Sequence, residues 1–270
     1  MGGSLAKAFK KNEVFVYGAD KDIEVMEEAL MDGAIDDYLT DETIPDCHMI
    51  LIATPSAAGI SWLKNNAHKM RKTQPVVDCC GTKRGICEIG FELSKSTNMC
   101  FVGGHPMAGF NVDGYTNSRA DLFRHATFVI CQDGDDMFLS RMVCNFLSNA
   151  GFTKFAFMSP FDHDKTIAFT SQLSHIVPSA LVKSGNASFD GLPIAGGSFR
   201  DMTRVAYLNE KAWTELCMDN RDNLIEEIDA FIDELVQYRS ALMSGDYREL
   251  KKLFAEGSRT KEEIDKAIGA

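Results

Sequence analysis

Four stretches concentrate the side chains that could do chemistry: DCCGTKRG from Asp78, FVGGHPMAGF from Phe101, SQLSHIVPSAL from Ser171 and GGSFRDMTRVA from Gly196. His105 follows a β-rich run, Cys100 to Val102, through two glycines. That places it at the carboxyl end of a parallel sheet, where ligands bind in α/β folds, and an imidazole exchanges protons near neutral pH. Glycines before it allow close backbone approach and Pro106 stiffens the exit. The plainer alternative is a histidine that caps a loop. Arg204 carries a guanidinium that can grip a carboxylate through two parallel hydrogen bonds; its alternative is an ion pair with Asp201, a role that suits Arg200 and Asp201 better. His175, amid Leu173, Ile176 and Val177, reads either as a pocket histidine or as a satisfied core residue. Thr82 offers a hydroxyl in the turn after Asp78.

These residues need a scaffold, and the pattern supplies one. Glu13 to Tyr17 is a short β-rich run, and Ile23, Met26 and Leu30 then recur at helical spacing. HMILIATP, from His48 to Pro55, is nearly continuous in apolar character, as expected of a parallel strand covered on both faces. Further strands are predicted at residues 75–78, 99–102 and 127–131, with helical segments between most of them. Strand, helix, strand at this spacing predicts an α/β fold with a doubly wound parallel sheet. From Pro160 the strand signals stop. Residues 163–184 read as a long helix and residues 191–199 as a glycine-rich turn. Leu224, Ile228, Phe231 and Leu235 form an amphipathic stripe, and the charged end from about Gly257 is expected to fray. The chain thus divides into an α/β domain over residues 1–159 and an all-helical domain over 160–270.

Composition narrows the class. The chain has 270 residues, 45% of them hydrophobic, and a net charge of −11, with a pI near 5.0. Such a chain can bury a sizeable core, and it lacks the clustered Lys and Arg that a nucleic-acid backbone demands. No run of 18 uncharged apolar residues and no signal-peptide pattern is present. Eight cysteines are scattered without a CxxC, which predicts reduced core thiols, no metal site and a cytoplasmic location. Adjacent Cys79 and Cys80 read as small buried residues, because a disulfide between neighbours closes a strained ring.

Gly2 and Gly3 open a helical pattern with Leu5, Ala6 and Phe9 on one face, and the next β-rich run is followed by Asp20. In dinucleotide-binding α/β domains a glycine turn opens a helix whose N-terminus holds the pyrophosphate. An acid after the second strand suits the ribose hydroxyls of NAD and repels the 2′-phosphate of NADP. This reading assigns Gly2, Gly3, Ser4, Asp20, Thr54 and Pro55 to NAD; the alternative makes the glycines a plain helix start and Asp20 a turn residue.

Taken together, GGHPMAG, the DCCGTK turn, the SHxxPxAL-like helix and FRDMTRVA followed by Trp213 resemble the prephenate dehydrogenase family, arogenate-using and dual-specificity members included. The four matches occur in the family's order and span nearly the whole chain. The resemblance implies oxidation of prephenate at C4, with hydride passing to NAD and loss of the ring carboxylate as carbon dioxide, in tyrosine biosynthesis. It implies that His105 accepts the hydroxyl proton, that Arg204, His175 and Gly197 hold substrate, and that the helical domain forms a homodimer. The family's DxGSxK serine is replaced by Gly81, which leaves Thr82 or a water to supply the hydroxyl. Gln172 stands where many members have a further histidine, and His163 and Asp164 match a family pair expected to be structural. Family members also run a strand into GxGxxGGSLA, so the resemblance implies a strand and two glycines before Met1. Asp113, if near the substrate side chain, favours the ammonium of arogenate, which keeps arogenate dehydrogenase as an alternative. A non-catalytic ligand-binding dimer and a β-hydroxyacid-type dehydrogenase are the remaining rivals.

Overall fold

The computed structural model of the chain describes residues 1–109, 114–134, 136–185 and 194–269. Two compact units result, Met1–Arg221 and Asp222–Ala270. In the first, α1 (Gly2–Lys10) buries Leu5, Ala8 and Phe9. It is followed by β1 (Tyr17–Gly18), α2 (Ile23–Met31) and β2 (Asp37–Tyr38). β1 and β2 pair in parallel as a small sheet of their own. The β-rich run at 13–17 therefore yields only its last residue as strand.

The main sheet has five strands in chain order: β3 (Ile50–Ile52), β4 (Gln74–Asp78), β5 (Met99–Pro106), β6 (Thr127–Cys131) and β7 (Lys154–Phe157). Three helices, α3 (Ser56–Asn66), α4 (Arg84–Ser96) and α5 (Met137–Ser148), connect strands within it. One face buries Val77, Val102, Phe128 and Ile130 with Leu5 and Phe9 of α1 and Val143 and Leu147 of α5. The other buries Ile52, Val76 and Phe101 with Leu63 of α3 and Ile86 of α4. Each such side chain contributes about 1.5–3 kcal/mol by leaving water. β4 is buried at all five positions, the polar Gln74 and Asp78 at its ends included.

The expected all-parallel sheet needs one correction: β5 and β6 run antiparallel, with His105 opposite Val129. The parallel ladder between β4 and β5 ends at Val102, and residues 103–106 pair with β6 instead. His105 thus lies inside a longer strand than predicted, yet still beyond the carboxyl end of the parallel ladder. Residues 14–20 on the β1 side and 48–54 on the β3 side border one cavity of about 1320 Å³. This is where the two sheets part, the kind of crevice in which α/β proteins bind ligands.

Beyond β7 the chain is helical: α6 (Pro160–Ile167), a π-helical turn (Ala168–Leu173), α7 (Ser174–Ser184), α8 (Gly197–Thr203) and α9 (Glu210–Asp219). The long helix predicted over 163–184 is real but interrupted by this π turn, with Pro178 inside α7. The glycine-rich turn predicted over 191–199 is helix from Gly197 onward; residues 191–193 lie outside the described set. α10 (Arg221–Ser244) leads into the second unit, which holds α11 (Tyr247–Ile268). There Gly245 takes a φ of +67°, and Asp246 caps α11 by accepting the Arg248 and Glu249 N–H groups. The Tyr238 hydroxyl donates to the Leu253 carbonyl at 3.3 Å. The expected fraying from Gly257 is not found: α11 continues to Ile268 and ends on Gly269 in the left-handed conformation. All eight cysteines are unpaired thiols. Among the described residues no helix is long and apolar enough to cross a membrane.

Candidate active site

The site is assembled around the end of β5. Asp78 closes β4, and its carboxylate accepts N–H bonds from Gly104 at 3.0 Å and from Cys80 at 2.9 Å. The fully buried Lys83 ammonium pairs with the same carboxylate and donates to the Gly104 carbonyl. Burial opposes that charge, but the Asp78 carboxylate outweighs it and holds the Lys83 pKa above its ordinary value. Sequence spacing explains the pairing: Lys83 opens α4 as its N-cap, five residues after Asp78, so one turn brings them together. The glycines before His105 are sterically required. A Cβ on Gly104 would lie 2.3 Å from the Asp78 carbonyl oxygen, and one on Gly103 would lie 2.4 Å from Cys87 Sγ.

His105 is half-buried, and its Nδ1 lies 2.9 Å from Nε2 of His163. The Nδ1 atom of His163 lies 2.7 Å from Asp164 Oδ1. Both partners sit in α6, whose start is set by Pro160 and by Ser159 capping Asp162. Asp164 also accepts the Lys83 N–H on Oδ1 and the Arg84 N–H on Oδ2. Burial would raise its pKa, but the His163 bond and these N–H groups prevail and hold it below its ordinary value. His105 is pushed well below the usual imidazole range, first by burial, then by His163 and Lys83. It is therefore a free base at neutral pH. The His163–Asp164 pair, expected to be structural, contacts His105 directly, across 58 residues of sequence.

The Thr82 expectation requires correction. Its hydroxyl donates to Asp219 Oδ2 at 3.4 Å, and among the described residues it makes no hydrogen bond to His105. A Cβ on Gly81 would stand 2.6 Å from Leu216 Cδ2 of α9, so a larger residue there needs that side chain to shift. Gln172, in the π turn, donates to the Leu216 carbonyl and accepts from Asn220, whose amide also bonds the Asp164 carbonyl. α9 is thereby tied to the floor of the site.

His175 stacks on Trp213, ring centroids 4.3 Å apart. Its Nδ1 donates to the Ser171 carbonyl at 2.8 Å, which leaves Nε2 as the free ring nitrogen. It is half-exposed, so the satisfied-core alternative does not hold. Arg204 ends α8, is exposed, and among the described residues makes no ion pair, with Asp201 or otherwise. Arg200 and Asp201 likewise form no ion pair there. Gly197 starts α8 and a Cβ on it would meet nothing within 4 Å. Asp113 lies outside the described residues.

On the cofactor side, Gly2, Gly3, Ser4, Asp20 and Thr54 all line the 1320 Å³ cavity, whereas Pro55 serves as the N-cap of α3. No side chain caps α1, so its first N–H groups are available to an anion. A Cβ on Gly3 would lie 2.7 Å from the Tyr115 ring. The Ser4 hydroxyl accepts the Arg119 N–H at 3.0 Å. Asp20 is exposed and accepts the Asp22 N–H with one oxygen, leaving the other free. These residues fit a dinucleotide, with pyrophosphate at α1 and ribose at Asp20.

The chain matches two family models in tandem: "Prephenate dehydrogenase, nucleotide-binding domain" over residues 5–152 and "Prephenate dehydrogenase, dimerization domain" over 159–256. It is 30% identical over 267 residues to the prephenate dehydrogenase of Bacillus subtilis, covering 94% of this chain and 71% of that one. With the Lactococcus lactis enzyme of the same name it shares 27% identity, covering all of this chain and 76% of the relative. The solved structure of Aquifex aeolicus prephenate dehydrogenase, in complex with hydroxyphenyl propionate and NAD+, superposes with a TM-score of 0.84. That likeness covers 98% of this chain and 95% of the other at 24% identity, and it concerns the fold.

Proposed function

Because this chain belongs to the prephenate dehydrogenase family, we propose that it oxidises prephenate with loss of carbon dioxide to 4-hydroxyphenylpyruvate, as a step of tyrosine biosynthesis, with NAD as hydride acceptor. The observation that carries the reading is His105: a histidine held in its basic form at the rim of the sheet, with one ring nitrogen committed to the protein. The other nitrogen, Nε2, is then the base for the C4 hydroxyl.

The chemistry requires little more than positioning and proton handling, because aromatisation drives the loss of carbon dioxide. NAD, when bound, supplies the acceptor for the C4 hydride. The N–H groups of Gly2 and Gly3 hold its pyrophosphate and Asp20 its ribose, with Thr54 on the opposite wall. His105 draws the proton from the hydroxyl as the carbonyl forms. Arg204 receives a substrate carboxylate, which suits a guanidinium that is exposed and makes no ion pair among the described residues, and His175 Nε2 and the backbone at Gly197 contribute to the same anion wall. The work divides near residue 159, with cofactor binding before it and substrate binding and dimerisation after it. Exposed Ile232, Leu235 and Val236 on α10 support an interface with a second copy. The unpaired cysteines fit a reducing, cytoplasmic setting.

The test is NADH formation by the purified protein with prephenate and, separately, with arogenate. Turnover of prephenate is expected. Preference for arogenate would move the assignment to that substrate, and NAD binding without turnover of either would overturn it. NAD binding by the same protein, measured in parallel by calorimetry, separates failed chemistry from failure to hold NAD.

A further inference from the structure

We propose that the His163–Asp164 pair is a positioning device that sets the tautomer of His105 in a chain where glycine stands at the place of the family's serine. The inference rests on His105 being the base, as argued above. It is carried by hydrogen-bond direction alone.

Asp164 is ionised and can only accept. Its Oδ1 faces His163 Nδ1 at 2.7 Å, so that nitrogen carries the hydrogen. In neutral His163 the Nε2 atom is then a bare acceptor. It faces His105 Nδ1 at 2.9 Å, so His105 must donate there, and its proton sits on Nδ1. The remaining nitrogen, Nε2, is left with its lone pair outward. With Asp164 ionised and His163 neutral, reversing either bond would set two acceptors against each other in the site.

Asp164 is itself held on both oxygens. The Lys83 and Arg84 N–H groups approach at 2.7 and 2.9 Å, and Arg84 Nε follows at 3.3 Å. His163 is fully buried, so the pair has no rotamer freedom to lose when substrate binds. Among the described residues His163 is the side chain that hydrogen-bonds His105. The outcome is the same as the triad logic in which a buried acid orients an imidazole.

The decisive measurement is nitrogen NMR of the holoprotein labelled at its six histidines, with the His105 signals assigned by their loss in His105→Asn. His105 is expected as the neutral Nδ1–H tautomer; the Nε2–H tautomer in the parent protein would overturn the proposal outright, whether or not prephenate is turned over. His163→Leu is expected to release the Nε2–H tautomer and to lower kcat on the order of a hundredfold, with KM nearly unchanged. His163→Gln, whose amide oxygen can accept the same N–H, is expected to restore the tautomer and most of kcat. Equal impairment of the Leu and Gln variants, or a Leu variant that keeps both tautomer and rate, would refute it. Prephenate turnover with an unchanged tautomer in His163→Leu would sink this proposal while leaving the assigned reaction intact.

Discussion

The surroundings of His105 and those of Arg204 and His175, proposed above as two walls of one site, are built on opposite plans. Around His105 the buried groups are paired within the protein: Asp78 with Lys83 and Gly104, His163 with Asp164, and Asp164 with two backbone N–H groups. Around Arg204 and His175 the groups are exposed or half-exposed and carry capacity that the protein does not use. Burial explains the difference. A buried donor or acceptor left unpaired costs about 1–3 kcal/mol, so the proton-handling wall must be satisfied before substrate arrives. An exposed guanidinium is satisfied by water and can wait for a carboxylate.

The sharpest way to break that contrast is at the base. His105→Ala is expected to lower kcat about a thousandfold with little change in KM, measured as NADH formation, in line with the worth of general base catalysis. Asp164→Ala attacks the same wall through stability: it strips partners from His163 and from the Lys83 and Arg84 N–H groups. A loss of about 3 kcal/mol or more is expected in denaturant unfolding. On the open wall, Arg204→Ala should raise KM some 10- to 100-fold while the melting temperature stays within error, because the side chain is exposed and makes no ion pair among the described residues. Equal damage to stability from both substitutions would erase the distinction between the walls.

Smaller effects sharpen it. Gly81→Ser restores the family hydroxyl but drives a Cβ into Leu216, so a loss of about 1–3 kcal/mol is expected. Leu216→Ala should relieve most of that penalty, and a double-mutant cycle measures the coupling. The last effect is in pH. Since the folded protein depresses the His105 pKa, the acid limb of kcat/KM should lie below 6.5. The unfolded chain binds that proton more readily, so stability contributed by the neutral ring is present above 6.5 and declines as pH falls below it. An acid limb above 6.5 would contradict a buried, unpaired-charge environment for this ring.

Strands β3 to β6 were legible because their apolar runs are longer than any loop tolerates, and α1 because its glycines precede an amphipathic stripe. β7 was missed: Lys154–Phe157 has exposed ends and half-buried middle residues, so its pattern is weak. The reversal of β6 was also invisible, since alternation reports burial and not direction. Tertiary packing likewise overrode composition at Gly257, which sits mid-helix in α11 despite its low helix propensity.

The chain's residue types and their order settled that a histidine with two glycines before it ends a strand, and that an acid follows the first β-rich run after a glycine-opened helix. These are local matters, governed by backbone sterics and burial along a few residues. Which groups surround that histidine was decided only in three dimensions. His163, Asp164 and Leu216 lie 58 or more residues further along the chain, and hydrogen-bond direction and excluded volume act between side chains that only the packed fold brings within 3 Å.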